Sequence, residues 1–155
     1  MLLSVKVAAI ALIFLYLVYS IFRPNRVKLS YTKPADRPDD PRIEFVATRT
    51  DSKDNVIDLY VISGEVDETA LTQFCRDVQK SITPKCWHMI AFFTSKEVAR
   101  FPSVGSYTSN YAVDSSSVTN AIKAEYMRHI NHGSGTLNVY PESFNKGQHK
   151  VIVVD

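Results

Sequence analysis

Cysteine is scarce: the chain of 155 residues has two, Cys75 and Cys86. That excludes a disulfide-dense scaffold and a four-cysteine zinc site. Charge of one sign is also missing, since 18 Lys and Arg stand against 16 Asp and Glu for a formal net charge of +2. The one-sided basic field of a nucleic-acid binder is therefore absent. The glycines Gly133 and Gly135 lack the G-x-G-x-x-G spacing and open no helix, so they read as a turn and not as a phosphate cradle.

Catalytic spacing is wanting as well. His129 and His132, with His149, are the best metal candidates, but the H-E-x-x-H arrangement is absent and a turn would hold the first two apart. No metal site is expected. Cys75 falls on the apolar face of a predicted helix, where a thiol is inert, and nothing joins Cys86 to a base. A Cys75–Cys86 bridge is disfavoured, because Cys75 lies about two helical turns, roughly 10 Å, from the level of Cys86. The carboxylates Glu44, Asp58, Glu65, Asp114, Glu125 and Glu142 are scattered singly and read as solvated strand residues.

What is present begins with an uncharged run of sixteen residues, 7–22. As a helix it is about 24 Å long, and Leu2, Leu3 and Val5 extend it, with Lys6 free to snorkel. No A-x-A-like cleavage site ends it, so the expectation is an uncleaved signal anchor, a single-pass transmembrane helix over residues 1–22 that meets the lipid bilayer through residues 2–22. Arg23, Arg26, Lys28, Lys33 and Arg37 on the far flank favour a cytoplasmic side for the C-terminal domain, although the orientation stays open. Residues 23–41 hold Pro24, Pro34, Pro38 and Pro41 among many charges and read as an extended linker.

Residues 42–155 are expected to form one small α+β domain. Ile43, Phe45 and Ala47 alternate with polar residues as a half-buried strand does, and a second strand starts at Val56. Asp67 is the natural N-cap of an amphipathic helix whose apolar face is Leu71, Phe74, Cys75, Val78 and Ile82, closed before Pro84. Residues 87–94 are apolar on both faces and suit a covered central strand. Residues 103–117 read as a long ordered loop. Residues 121–130 fit a helix face or a strand; the turn at 131–135 favours a strand. A last hairpin turns at 145–147. The expected order is β-β-α-β-loop-β-β-β, a mostly antiparallel sheet with one main packed helix.

Leu71, Phe74 and Cys75 in the helix, the Ile90-Ala91-Phe92-Phe93 strand, Ala124 and Tyr126, and the strand through Leu137, Val139 and Tyr140 form a pattern over residues 56–142. The pattern resembles small bacterial α+β domains carried behind an N-terminal anchor or signal segment. The resemblance implies the strand reading of 121–130 and carries over no activity, cofactor or site residue.

Phe101, Tyr107, Tyr111, Tyr126 and Tyr140 are the candidate interaction surface, since tyrosine is large, stiff and amphipathic. The expected function is a membrane-tethered, non-enzymatic protein-interaction domain, an accessory subunit or immunity-type inhibitor of a membrane-associated system. Its expected partners are a protein and the bilayer, with no cofactor and no nucleic acid. The alternatives are a hydrolase-like enzyme whose site no motif marks, and a ligand-sensing domain.

Overall fold

The computed structural model describes residues 13–15, 27–65, 67–144 and 148–155. Seven strands form one mixed sheet: β1 Lys28–Ser30, β2 Ile43–Thr50, β3 Val56–Ile62, β4 Trp87–Phe93, β5 Ile122–His129, β6 Gly135–Val139 and β7 Lys150–Val154. They lie side by side in chain order. Each neighbouring pair is antiparallel except β3 and β4, which are parallel.

The parallel pair follows from helix α1, Glu68–Ser81. Fourteen residues at 1.5 Å each return the chain by about 21 Å, so β4 starts where β3 started. Asp67 caps the helix by accepting from the Ala70 amide at 2.7 Å. The helix ends at Ile82, whose extended backbone precedes Thr83 and Pro84.

Two cores flank the sheet. Under α1, Leu71, Phe74, Cys75 and Val78 pack on Tyr60, Ile90, Phe92, Tyr126 and Leu137. On the opposite face Ile57, Leu59, Met89, Ala91, Phe93 and Ile122 are covered by Tyr111, Val118 and Tyr140. The cover is a 3-10 turn, Thr108–Val113, followed by a one-turn helix α2, Ser116–Thr119. The segment expected as a long ordered loop is thus a second covering layer. That is why 87–94 is apolar on both sides.

The expected fold class is corrected in three respects. The sheet is mixed, because α1 acts as a crossover and sets β3 and β4 parallel. It has a further strand, β1, inside the stretch expected as linker, where Lys28–Ser30 pairs with Thr48–Thr50. And among the described residues no helix is long and apolar enough to cross a membrane. A span needs about twenty apolar residues to cover roughly 30 Å. Helix α1, the longest described, is fourteen residues with charges along one side. The single-pass placement in the cell membrane is therefore withdrawn, together with its cytoplasmic orientation. Residues 1–12 and 16–26 of that expected anchor lie outside the described residues, as does the 145–147 turn.

Several local expectations agree with the structure. Helix α1 and its cap stand where the sequence puts them, and residues 122–129 are a strand.

Candidate interaction surface

The sheet edge at β1 and the covering segment on β2 meet around Arg49. Leu29 stands opposite Arg49 in the β1–β2 register. The Arg49 guanidinium lies 4.8 Å from the centre of the Phe101 ring and donates to the Gly105 carbonyl at 3.0 Å. A cation held over an aromatic face and bonded to backbone ties the 101–105 segment to β2.

Gly105 has φ +68, a conformation in which an ordinary side chain is strained. A Cβ there would stand 1.9 Å from the Asn110 amide nitrogen. Next to it, Tyr107 sets its ring edge-on to Trp87 with centroids 6.3 Å apart. Val27, Gly105, Ser106 and Tyr107 then share a shallow cleft of about 330 Å³ with Asp51, Ser52, Lys53 and Asn55. The floor of that cleft is cross-bonded through Asp51. Asp51 accepts from the Lys53 and Asn55 amides at 2.7 and 3.0 Å, and the Asn55 side chain returns a bond to Asp51 at 2.9 Å.

Apolar side chains around this cleft face water. Val27, Leu29 and Val104 are half or more exposed and Tyr107 is 38% exposed. Clustered apolar exposure on a rigid scaffold is what a docking surface offers.

The five aromatic residues singled out in the sequence divide between surface and core. Phe101 and Tyr107 belong to this face. Tyr111 is fully buried, donates to the Arg100 carbonyl at 2.6 Å and packs edge-on against Phe93. Tyr126 is buried on the opposite face beneath α1, and Tyr140 is buried beside Glu125. The structure brings together Phe101 and Tyr107 and places the other three inside.

Sequence reasoning passed over two buried polar clusters. In the first, Asp58 is fully buried on β3 and its Oδ2 accepts from Arg37 Nε and lies 2.8 Å from His88 Nε2. Arg37 also bonds Asp36 at 3.0 Å. Burial works to raise the Asp58 carboxyl, yet His88 and Arg37 beside it hold it below the usual carboxylate range. The cluster joins Arg37 to β3 and β4. Its evident effect is mechanical: it fastens the 31–42 segment to the sheet. The signal was there in the sequence, for Asp58 interrupts an apolar strand whose two faces are both covered, and a carboxylate in that position needs a partner.

In the second cluster Tyr140 donates to Glu125 Oε2 at 2.6 Å. Burial raises the Glu125 carboxyl above its ordinary value, opposed by the Tyr140 and Thr108 hydroxyls. Both Asp58 and Glu125, expected as solvated strand residues, are core residues.

The remaining candidates stay apart. Cys75 is buried and Cys86 half-buried, and both are free thiols; burial pushes the Cys75 thiol up. His129 and His132 flank the β5–β6 turn with ring centroids 5.7 Å apart, and the His129 ring lies tilted against Trp87 at 4.7 Å. Among the described residues no group of three metal-ligating side chains converges.

No protein-family model, curated protein or solved structure matches this chain. The functional reading therefore rests on its own geometry.

Proposed function

We propose that this chain is a non-enzymatic protein-interaction domain, an accessory subunit or immunity-type inhibitor, that docks a partner protein on the face around Tyr107. The observation that carries this reading is the exposed apolar group Val27, Leu29, Val104 and Tyr107, set on backbone that Arg49 and Asp51 hold in place. Arg49 and Tyr107 are the residue types that dominate binding energy at interfaces. A preset surface also spares the partner the cost of ordering it.

The test is capture of a stoichiometric partner by the intact chain, followed by calorimetry on the purified pair. Tyr107→Ala weakens binding at least about tenfold, as a truncated hot spot does. Equal binding by Tyr107→Ala and the wild type would contradict the reading.

A cleft of about 580 Å³ favours ligand sensing as the second reading. It lies beside Gly64, Glu65 and Asp67, where β3 hands over to α1, and is walled by Ile62, Leu71, Val139, Tyr140 and Pro141. The ends of parallel strands are a common place for ligands. A small molecule that raised the melting temperature of the wild type, but not of Leu71→Trp, would support it.

A further inference from the structure

Strand β7 borders the sheet at the edge opposite β1, and among the described residues it pairs on one side only, with β6. Its residues Val151, Ile152, Val153 and Val154 are all β-branched and apolar, without proline or glycine. The β6–β7 register runs without a bulge from Gly135↔Val154 to Val139↔Lys150. Ile152 and Val154 turn into the core beneath α1, whereas Val151 and Val153 are 55% and 59% exposed.

Edge strands are normally blunted by bulges, prolines or inward charges. Here the blunting is slight. Lys150 ion-pairs with Glu68 of α1, and the Gln79 amide donates to the Val154 carbonyl at 2.8 Å. Val151 and Val153 are left presenting a flat, uncharged ridge.

We propose that β7 pairs with β7 of a second copy of this chain, antiparallel about a two-fold axis at Ile152, so that two sheets become one. An axis perpendicular to the sheet keeps the same face of both copies on the same side, so opposed residues must share parity. The register that uses the whole strand then sets Ile152 against Ile152, Val151 against Val153 and Lys150 against Val154. His149 falls opposite Asp155. The charge pattern selects this arrangement. Lys150 lies at one end of the strand and Asp155 at the other, with four uncharged residues between them. Antiparallel pairing brings the basic end of each copy to the acidic end of the other. Parallel pairing would set lysine beside lysine and aspartate beside aspartate, which is unfavourable in a ladder. The Val151–Val153 contacts would cover the exposed ridge in both copies.

The β7 edge is separate from the docking face, which lies at the other edge of the sheet. The pairing is tested on the intact chain by sedimentation equilibrium of the wild type and of Val151→Lys/Val153→Lys. Both positions face water, so the double variant keeps the monomer fold, checked by its circular dichroism spectrum. The wild type is a dimer, and the variant raises the dissociation constant by at least about tenfold, a change of roughly 1.4 kcal/mol. In a Cys86→Ser background, mild oxidation of Ile152→Cys gives a covalent dimer, because that residue meets its own copy across the axis. Val151→Cys alone links far more slowly. A monomeric wild type, identical sedimentation of wild type and double variant, or equal cross-linking at 151 and 152 would each overturn the proposal.

Discussion

Arg37 and Asp58 stand twenty-one residues apart in the chain and form a buried ion pair, with the Arg37 Nε bonded to Asp58 Oδ2 and His88 completing the cluster from β4. Removing one partner of such a pair leaves the other charge buried and unmatched. Arg37→Ala should therefore lower the unfolding free energy by about 3–5 kcal/mol. Denaturant titration measures this; a loss below about 1 kcal/mol would mean that the cluster is far better hydrated than its burial indicates.

The same cluster sets an acid limit. The folded Asp58 carboxyl titrates below its unfolded value. Its contribution is complete above the unfolded carboxylate range, about pH 4, and is lost as pH falls through the folded pKa. Stability curves of the wild type and Asp58→Asn should converge in that acid window and diverge above it. Parallel curves would exclude a part for Asp58.

Glu125 has the opposite sign. Burial raises its folded pKa, so its contribution is complete below the unfolded value and is lost as pH rises through the folded one. Glu125→Gln keeps an acceptor for the Tyr140 hydroxyl and removes the charge. It should raise stability at neutral pH by on the order of 1 kcal/mol and flatten the pH dependence above about pH 4, the range of unperturbed carboxylates. Thermal melts at several pH values decide the matter, and a destabilised Glu125→Gln would refute it.

Two glycines carry steric predictions. Gly105→Ala meets the Asn110 amide and a left-handed backbone together, and should cost about 1–2 kcal/mol while loosening the Arg49 bond to residue 105. Gly135→Ala would place its Cβ 2.4 Å from the buried Tyr126 ring and should cost about 1–3 kcal/mol by overpacking. Chemical denaturation reads both. Tyr126→Phe does not fully relieve Gly135→Ala, since ring carbons at 2.4 and 2.6 Å clash as well as the hydroxyl oxygen at 2.5 Å; full relief would put the clash on the hydroxyl alone.

Much of the fold was legible because periodicity reports burial. Leu71, Phe74, Cys75 and Val78 recur at helical spacing because they pack on one sheet face, and Asp67 caps the helix they form. The doubly apolar 87–94 stretch announced a covered central strand. What covers it was hidden, for the 3-10 turn at 108–113 buries Tyr111 and Thr108 without any regular repeat. The parallel β3–β4 pair was a matter of where α1 delivers the chain, a relation no local pattern carries. Arg37 lay in a proline-rich stretch that looked like spacer, and its partner is distant in sequence. The candidate face was half legible: Phe101 and Tyr107 were named, while Leu29 and Arg49 join them only through the β1–β2 pairing. Tyr111, Tyr126 and Tyr140 have the same composition signal but sit where the two cores close.

Whether the face around Tyr107 holds a partner decides the functional reading. The most direct measurement is calorimetric titration of the captured, purified partner with the wild type, Tyr107→Ala and the Val151→Lys/Val153→Lys variant. Binding should fall at least about tenfold for Tyr107→Ala and stay unchanged for the β7 variant. Undiminished affinity in Tyr107→Ala, or no partner at all for the intact chain, would contradict it.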